Sequence, residues 1–393
     1  MSKKSVIYLD HNSTTPIDPR VVEAMSEVWS QGFLNPASQH REGQRARREL
    51  ELLRAQIIDL LGGKSHSMQA DQLVVTSGGT ESNNLALIGL ARHLTRKNES
   101  TEPIGVLVSA IEHPSVIGAS EALLQEGFEV QQIQVDSHGV VCLKDLEQKL
   151  SDSNVGLVSI MLANNETGVI QPVAEAANIC QRHAALLHTD AVQVVGKLPV
   201  DFTEIGCDAM SFTAHKLHGP RGIGGLLLKH NIVPEPLLFG GFQQTALRPG
   251  TEDVALLAGM HRAIEIAVSD TARATRMNEL RELLESGLLE KLDVTINGSG
   301  AERLPHTSNV SFAGIDRQAF LMAADIEGLA ISTGSACASG SSEPSPVLLA
   351  MKANNDVVAG SIRISLGATS TREEVETAIN KVVSIVEKLS KSG

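Results

Sequence analysis

The sequence predicts an α/β fold: a mostly parallel central sheet in a large domain, covered by helices on both faces, with a smaller α+β domain beside it. Three observations carry this expectation. Short apolar runs at residues 73–75, 104–108, 155–161, 185–187, 209–212 and 224–228 are separated by segments of helical period. After about residue 255 the alternation gives way to a long charged stretch at 251–292, then short strands at 294–296, 309–312 and 362–365 and a last amphipathic helix at 372–389. A chain of 393 residues also exceeds what a single core supports. The expected division is a large domain of residues 15–255 and a small one of residues 1–14 and 256–393.

The elements follow from local chemistry. Asp18-Pro19 reads as an N-cap with proline at the first helical position, opening a helix with Val21, Met25, Val28 and Trp29 on its apolar face. A second helix carries Leu50, Leu53, Ile57 and Leu60 and stops at Gly62-Gly63. Residues 332–346 stand apart: almost entirely Ser, Gly, Ala and Pro with Cys337 near the centre, a loop of the length usually tied to function or disorder.

Composition narrows the function. A net charge of −13 with one Trp and one Tyr gives no positive evidence for nucleic-acid binding. No apolar run reaches the roughly 20 residues of a membrane span, and the N-terminus lacks the apolar core of a signal peptide. The four cysteines, Cys142, Cys180, Cys207 and Cys337, include no CxxC pair. The expectation is a reducing, cytoplasmic setting without disulfides or a metal site. Cys142, Cys180 and Cys207 read as small buried hydrophobes.

In an α/β sheet, chemistry collects in the loops after the strands. Thr76-Ser77-Gly78-Gly79-Thr80-Glu81-Ser82-Asn83 is a small-residue turn that opens a helix. Its free N–H groups and the Thr80 hydroxyl could seat a phosphate, although a plain capped glycine turn has the same composition. Lys216 follows the 209–212 run within Thr213-Ala214-His215-Lys216 and precedes a glycine-rich turn. Such a lysine is either a solvated strand end or, if buried, a Schiff-base nucleophile. Asp190 ends the run beginning at Ala185; it is a helix cap or the carboxylate that pairs with a protonated pyridine nitrogen, as in pyridoxal-phosphate enzymes.

Taken in order, these motifs resemble the NifS/IscS-like cysteine desulfurases, pyridoxal-phosphate enzymes of fold type I within the class-V aminotransferase family. The resemblance spans nearly the whole chain. It runs through Tyr8-Leu9-Asp10, Thr14-Thr15-Pro16, Asn35-Pro36-Ala37-Ser38 with His40, the Thr76–Asn83 turn, Glu112-His113 and Asn164-Asn165-Glu166-Thr167-Gly168. It continues with Asp190 and Gln193, His215-Lys216, Arg248-Pro249-Gly250-Thr251, Ser335-Ala336-Cys337 and Ser361-Ile362-Arg363-Ile364-Ser365.

The resemblance implies pyridoxal 5′-phosphate bound covalently on Lys216, with Asp190 on the pyridine nitrogen and Gln193 on the ring hydroxyl. It implies His113 stacked on the ring as a proton shuttle, and Gly79, Thr80, Thr213 and His215 around the phosphate. Thr251 would reach the phosphate from the other subunit of a homodimer. Arg363 would clamp the carboxylate of L-cysteine, with Asn35 and Asn165 assisting at carboxylate and cofactor. Cys337 would take the sulfur as a persulfide, releasing L-alanine, and pass it to a sulfur acceptor or scaffold protein, as in iron–sulfur cluster assembly. A selenocysteine lyase, an aminotransferase, or a sulfur-carrier platform with vestigial catalysis are the competing readings.

Two departures stand out. Gly240-Gly241-Phe242-Gln243-Gln244-Thr245 replaces the Gly-Gly-Gly-(His/Gln)-Glu-Arg run of many relatives, removing an acidic and basic pair. The sequence also stops at Gly393, soon after its last helix, where relatives serving the general iron–sulfur scaffold often carry a docking extension.

Overall fold

The computed structural model describes residues 6–66, 68–97, 104–334 and 343–391. Its centre is a seven-stranded sheet built from β2 (Gln72–Thr76), β3 (Gly105–Ser109), β4 (Glu129–Ile133), β5 (Val155–Ser159), β6 (Leu186–Asp190), β7 (Ala209–Thr213) and β8 (Gly224–Leu228). These lie in the order β2-β8-β7-β6-β5-β3-β4. β8 runs antiparallel to both of its neighbours and the remaining pairs are parallel. β2 therefore runs the same way as β7, and the carboxyl ends of β2, β3, β5, β6 and β7 open onto one edge. That edge is where an α/β sheet places its ligand.

The alternation read from the sequence has its physical reason here: β3, β7 and β8 are buried at every position, as strands covered on both faces must be. β4 escaped the sequence reading. It is an edge strand of sequence Glu-Val-Gln-Gln-Ile, and only Ile133 is fully buried. Solvation of its outer side removed the apolar signal.

The remaining strands are β1 (Ile7–Tyr8), β9 (Val294–Ile296), β10 (Thr307–Phe312), β11 (Leu329–Ala330) and β12 (Ser361–Ser365). β12, β10 and β9 form an antiparallel sheet, while β1 pairs with β11. Ile7 and Leu9 join Leu284, Leu288, Val310, Phe312, Phe320 and Ile379 in a core separate from that of the seven-stranded sheet. The charged stretch at 251–292 holds two helices, Val254–Ser269 and Arg273–Lys291. The first is capped by Asp253 and packs on the helices Pro19–Ser30 and Arg41–Leu60, whereas the second packs on the helix Arg372–Ser390.

Candidate active site

The carboxyl edge of the sheet encloses a cavity of about 240 Å³. It gathers Gly79, Thr80, His113, Asn165, Asp190, Gln193, Thr213, His215 and Lys216, nine of the residues singled out in the sequence. They arrive from the ends of five strands, β2, β3, β5, β6 and β7, or the segments just beyond them. Asp190 closes β6, Thr213 closes β7, and Lys216 ends the single 3-10 turn Ala214–Lys216 that follows.

One amide organises the floor. Asn83 Nδ2 donates to Asp190 Oδ2 at 2.6 Å and to Ser115 Oγ at 2.9 Å. Ser115 Oγ in turn lies 2.8 Å from His113 Nδ1, and the Ser115 N–H donates to the same nitrogen at 3.1 Å. The His113 ring thus caps the helix Pro114–Gln125 through Nδ1. This places the proton of the neutral ring on Nε2. Burial lowers the pKa of His113, and that of His215 to about 4, so both rings are neutral at physiological pH. Asp190 also accepts from the Val192 N–H at 2.9 Å.

Lys216 is a half-buried, hydrogen-bonded amine rather than a solvated strand end. Burial, reinforced by the charge of Arg363, pulls its pKa down to about 8. Its Nζ donates to the Asn12 carbonyl and, at 2.6 Å, to that of Ser13. Gln193 Nε2 donates to the same Asn12 carbonyl at 3.0 Å, and the Asn12 side chain reaches the Asn165 carbonyl and Thr307 Oγ1. Asn12 is therefore a hub that the sequence reading missed, as it missed the organising role of Asn83. Both are ordinary polar residues in polar segments, and only the fold brings them against charged groups.

The turn after β2 is tightly enclosed. A Cβ on Gly79 would meet Val192 Cγ2 at 2.8 Å, and one on Gly224 would meet the Gly78 Cα at 2.8 Å. The Thr213 hydroxyl donates to the Ile223 carbonyl at 3.0 Å, and His215 Nδ1 lies 3.1 Å from Thr14 Oγ1.

Arg363 lies beside this cavity, connected through Asn165. Its Nη1 donates to the carbonyls of Asn165 at 3.0 Å and Gly334 at 3.3 Å; its Nη2 donates to Asp10 Oδ1 at 2.8 Å and Ser13 Oγ at 2.9 Å. A carboxylate arriving at Arg363 would exchange with these internal acceptors. Asn35 and Thr251 are not in the cavity. Both line a groove of about 950 Å³ elsewhere on the surface, together with Arg47, Arg54, Phe242 and Gln244. Cys337 lies outside the described residues.

The other cysteines follow their expected character in part. Cys180 and Cys207 are buried with thiol pKa values pushed up, that of Cys180 to about 12, whereas Cys142 is only half-buried. Among the described residues no three His, Cys, Asp or Glu side chains converge as metal ligands, and no helix is long and apolar enough to cross a membrane. Where the sequence reading found an acidic and basic pair missing, a different ion pair stands. Arg248 Nε meets Glu81 Oε1 at 2.8 Å.

Residues 7–377 match the class-V aminotransferase family. The chain belongs to it. Similar proteins include a cysteine desulfurase IscS of Dictyoglomus turgidum, 39% identical over 98% of this chain and 96% of that protein. Another, from Cronobacter sakazakii, is 40% identical over 96% of this chain and 92% of its own length. Among solved structures, a NifS-like protein from Rickettsia africae superposes with a TM-score of 0.87 at 33% identity, covering 97% of this chain and 99% of that one.

As a class-V aminotransferase-family chain it is a pyridoxal-phosphate protein of fold type I. The cavity fits that cofactor on its own chemistry. It offers a half-buried lysine of lowered pKa, a buried carboxylate and a buried acceptor, Gln193 Oε1, that has no partner among the described residues. A carbonyl oxygen left unpaired in a protein interior costs free energy, and a ring hydroxyl would satisfy it.

Proposed function

We propose that this chain is a pyridoxal-phosphate-dependent cysteine desulfurase, converting L-cysteine to L-alanine and taking the sulfur as a persulfide on Cys337. The observation that carries the reading is the convergence of Lys216, its pKa lowered by burial, Asp190 and a helix-capping His113 on one cavity. Relatives of 39–40% identity that are named cysteine desulfurases support it.

Lys216 would hold the cofactor and move the proton of the substrate Cα. Asp190 would face the pyridine nitrogen, braced by Asn83 and the Val192 N–H. Gln193 Oε1 would accept from the ring hydroxyl. His113, with its proton on Nε2, would stack on the ring and pass a proton to or from the substrate thiol. Gly79, Thr80, Thr213 and His215 would surround the phosphate, while Arg363 and Asn165 would orient the substrate carboxylate. When bound, pyridoxal phosphate supplies an electron sink that loosens the Cα–H bond and activates the bond from Cβ to sulfur.

The Cys337 thiolate would then take the sulfur. The carbon–sulfur bond breaks as a sulfur–sulfur bond forms, and the carbon skeleton is protonated to alanine. The balance needs no external oxidant, because the sulfur is oxidised as the carbon is reduced. The persulfide would pass to a sulfur-acceptor or scaffold protein, in a cytoplasmic setting.

A homodimer is part of the proposal. Thr251 and Asn35 line the 950 Å³ groove, near which Phe242 is 93% exposed. An exposed aromatic on such a groove favours burial against a second copy, where Thr251 would reach the neighbouring cofactor phosphate. The division into residues 15–255 and residues 1–14 with 256–393 is likewise proposed, supported by the separate core that joins Ile7 and Leu9 to Leu284 and Ile379.

The test is a spectrum of the purified protein, an alanine assay with cysteine, and mass spectrometry of Cys337. Lys216→Ala should lose covalently held cofactor. Cys337→Ala should keep the cofactor and lose persulfide and sulfur release from cysteine. Full cysteine turnover in Cys337→Ala would overturn the mechanism.

A further inference from the structure

The segment Gln243–Ala246 is backbone-strained without glycine: Gln244, Thr245 and Ala246 all take left-handed conformations, at φ 48°, 55° and 63°. Three successive residues of this kind are rare, and a β-branched residue such as Thr245 is among the least suited to that region. Strain of this sort persists where the surroundings enforce it.

Here they do so through one amide. β2 is an edge strand, so half of its backbone groups face away from β8. Gln244 occupies that free edge at Val75. Its Oε1 accepts from the Val75 N–H at 2.7 Å, and its Nε2 donates to the Val75 carbonyl at 2.8 Å. A single planar amide thus does what a paired strand residue would do. Nearby, Gln72 Nε2 donates to Thr245 Oγ1 at 3.0 Å.

Four residues on, Arg248 holds Glu81 through Nε at 2.8 Å and Nη2 at 3.3 Å. Glu81 Oε2 accepts from the Ser77 N–H at 2.6 Å. The segment therefore grips the strand leading into the turn at residues 77–80 and the helix leading out of it. We propose that Gln244 and Arg248 form a clip that positions this turn for the cofactor phosphate, and that the clip depends on an amide, donor and acceptor together, at position 244. This rests on the turn being the phosphate seat of the proposed desulfurase. It also accounts for the departure at Gln244: an ionised glutamate there could accept from Val75 but could not donate to its carbonyl.

The decisive variant is Gln244→Glu in the full-length holoenzyme. At pH 8 its carboxylate faces the Val75 carbonyl without a proton, and the release of pyridoxal phosphate into a trapping apoprotein should be about tenfold faster than in wild type, the effect of one lost hydrogen bond at a half-buried acceptor. Below the ordinary glutamate value of about 4.3 the protonated carboxyl recovers both roles, and the variant-to-wild-type ratio should return toward one as pH falls through it. Gln244→Asn, too short to reach both groups, should release faster at both pH values. Arg248→Gln should do the same, and the ³¹P resonance of bound cofactor should shift in each fast-releasing variant.

Equal release by Gln244→Glu and wild type at pH 8, a ratio independent of pH, or dissociation of the variant to monomers at the pH of faster release would overturn the clip. Wild-type protein that takes up no cofactor would overturn the proposed function and the clip with it. Wild-type that holds cofactor beside an unaffected variant overturns the clip alone.

Discussion

Glu112 precedes His113 in the chain and is buried. Its Oε1 accepts from Ser109 Oγ at 2.5 Å and the Met161 N–H at 2.7 Å, while its Oε2 has no partner among the described residues. Burial dominates these two hydrogen bonds and lifts the carboxyl to about 8. Glu112 is then a neutral acid at pH 7. Below the unfolded-state value of about 4.3, both native and unfolded chains carry the proton and the group costs nothing. Between about 4.3 and about 8 the unfolded chain releases a proton that the native one keeps, so stability falls as pH rises, by about 1.4 kcal/mol per pH unit. At pH 7 the ceiling of that loss is roughly 3.5 kcal/mol. Glu112→Gln keeps the Oε1 acceptor and removes the ionisation, while its unpartnered amide hydrogens return about 1 kcal/mol of the gain. The variant should therefore melt about 3 °C above wild type at pH 7 and show no gain at pH 4. Melting of both proteins across that range is the assay. An infrared band of a protonated carboxyl, present at pH 7 in wild type and absent in the variant, reports the ionisation directly. A variant less stable at pH 7, or equally more stable at both pH values, would refute the assignment of a neutral Glu112.

Three further outcomes follow. Lys197 is wholly buried, its Nζ has no partner among the described residues, and burial holds its pKa well below the ordinary lysine value. The unfolded chain binds a proton that the native one refuses, so Lys197→Met should raise the melting temperature near neutrality, with the gain shrinking as pH rises toward about 10.4. Lys216 obeys the same sign, and apoprotein stability should climb by up to roughly 3 kcal/mol between pH 8 and pH 10.4 in wild type and less in Lys216→Met; denaturant midpoints across that window check it. Arg363→Lys loses the planar fork and should raise the KM for cysteine at least about tenfold, with cofactor absorbance retained; steady-state kinetics beside a spectrum decide it.

Much of the fold was legible because strands buried on both faces announce themselves as short apolar runs. β4 did not, for the same reason in reverse: an edge strand half in solvent reads as polar. The proposed catalytic residues were legible in chemical type. Lys216, Asp190 and His113 belong to recognisable strand-end motifs, and the structure brings all three to one cavity. Their supports were not legible. Asn12 and Asn83 act through bonds spanning 204 and 107 positions of sequence, and nothing local in an asparagine forecasts such a partner. Gln244 was visible only as a departure, and its bonding to Val75 depends on β2 being an edge.

Burial sets the charge of the cavity. Every histidine near Lys216 is discharged by burial: His11 and His215 to about 4, with His113 and His218 lowered as well. Glu112 is discharged in the opposite sense. Among the lining side chains Asp190 is the one carboxyl, and Lys216 is poised near neutrality. A cofactor with a cationic ring nitrogen, a carbonyl carbon and an anionic phosphate would meet three proposed complements here: Asp190, a lysine that need shed little free energy to lose its proton, and the turn at residues 77–80. Exchanging His113 for a permanently charged side chain would upset that match more than removing its ring. His113→Arg should therefore impair cofactor capture, measured as absorbance retained after dialysis, beyond the loss seen in His113→Ala; equal retention in the two variants would show that the neutrality of the cavity is incidental.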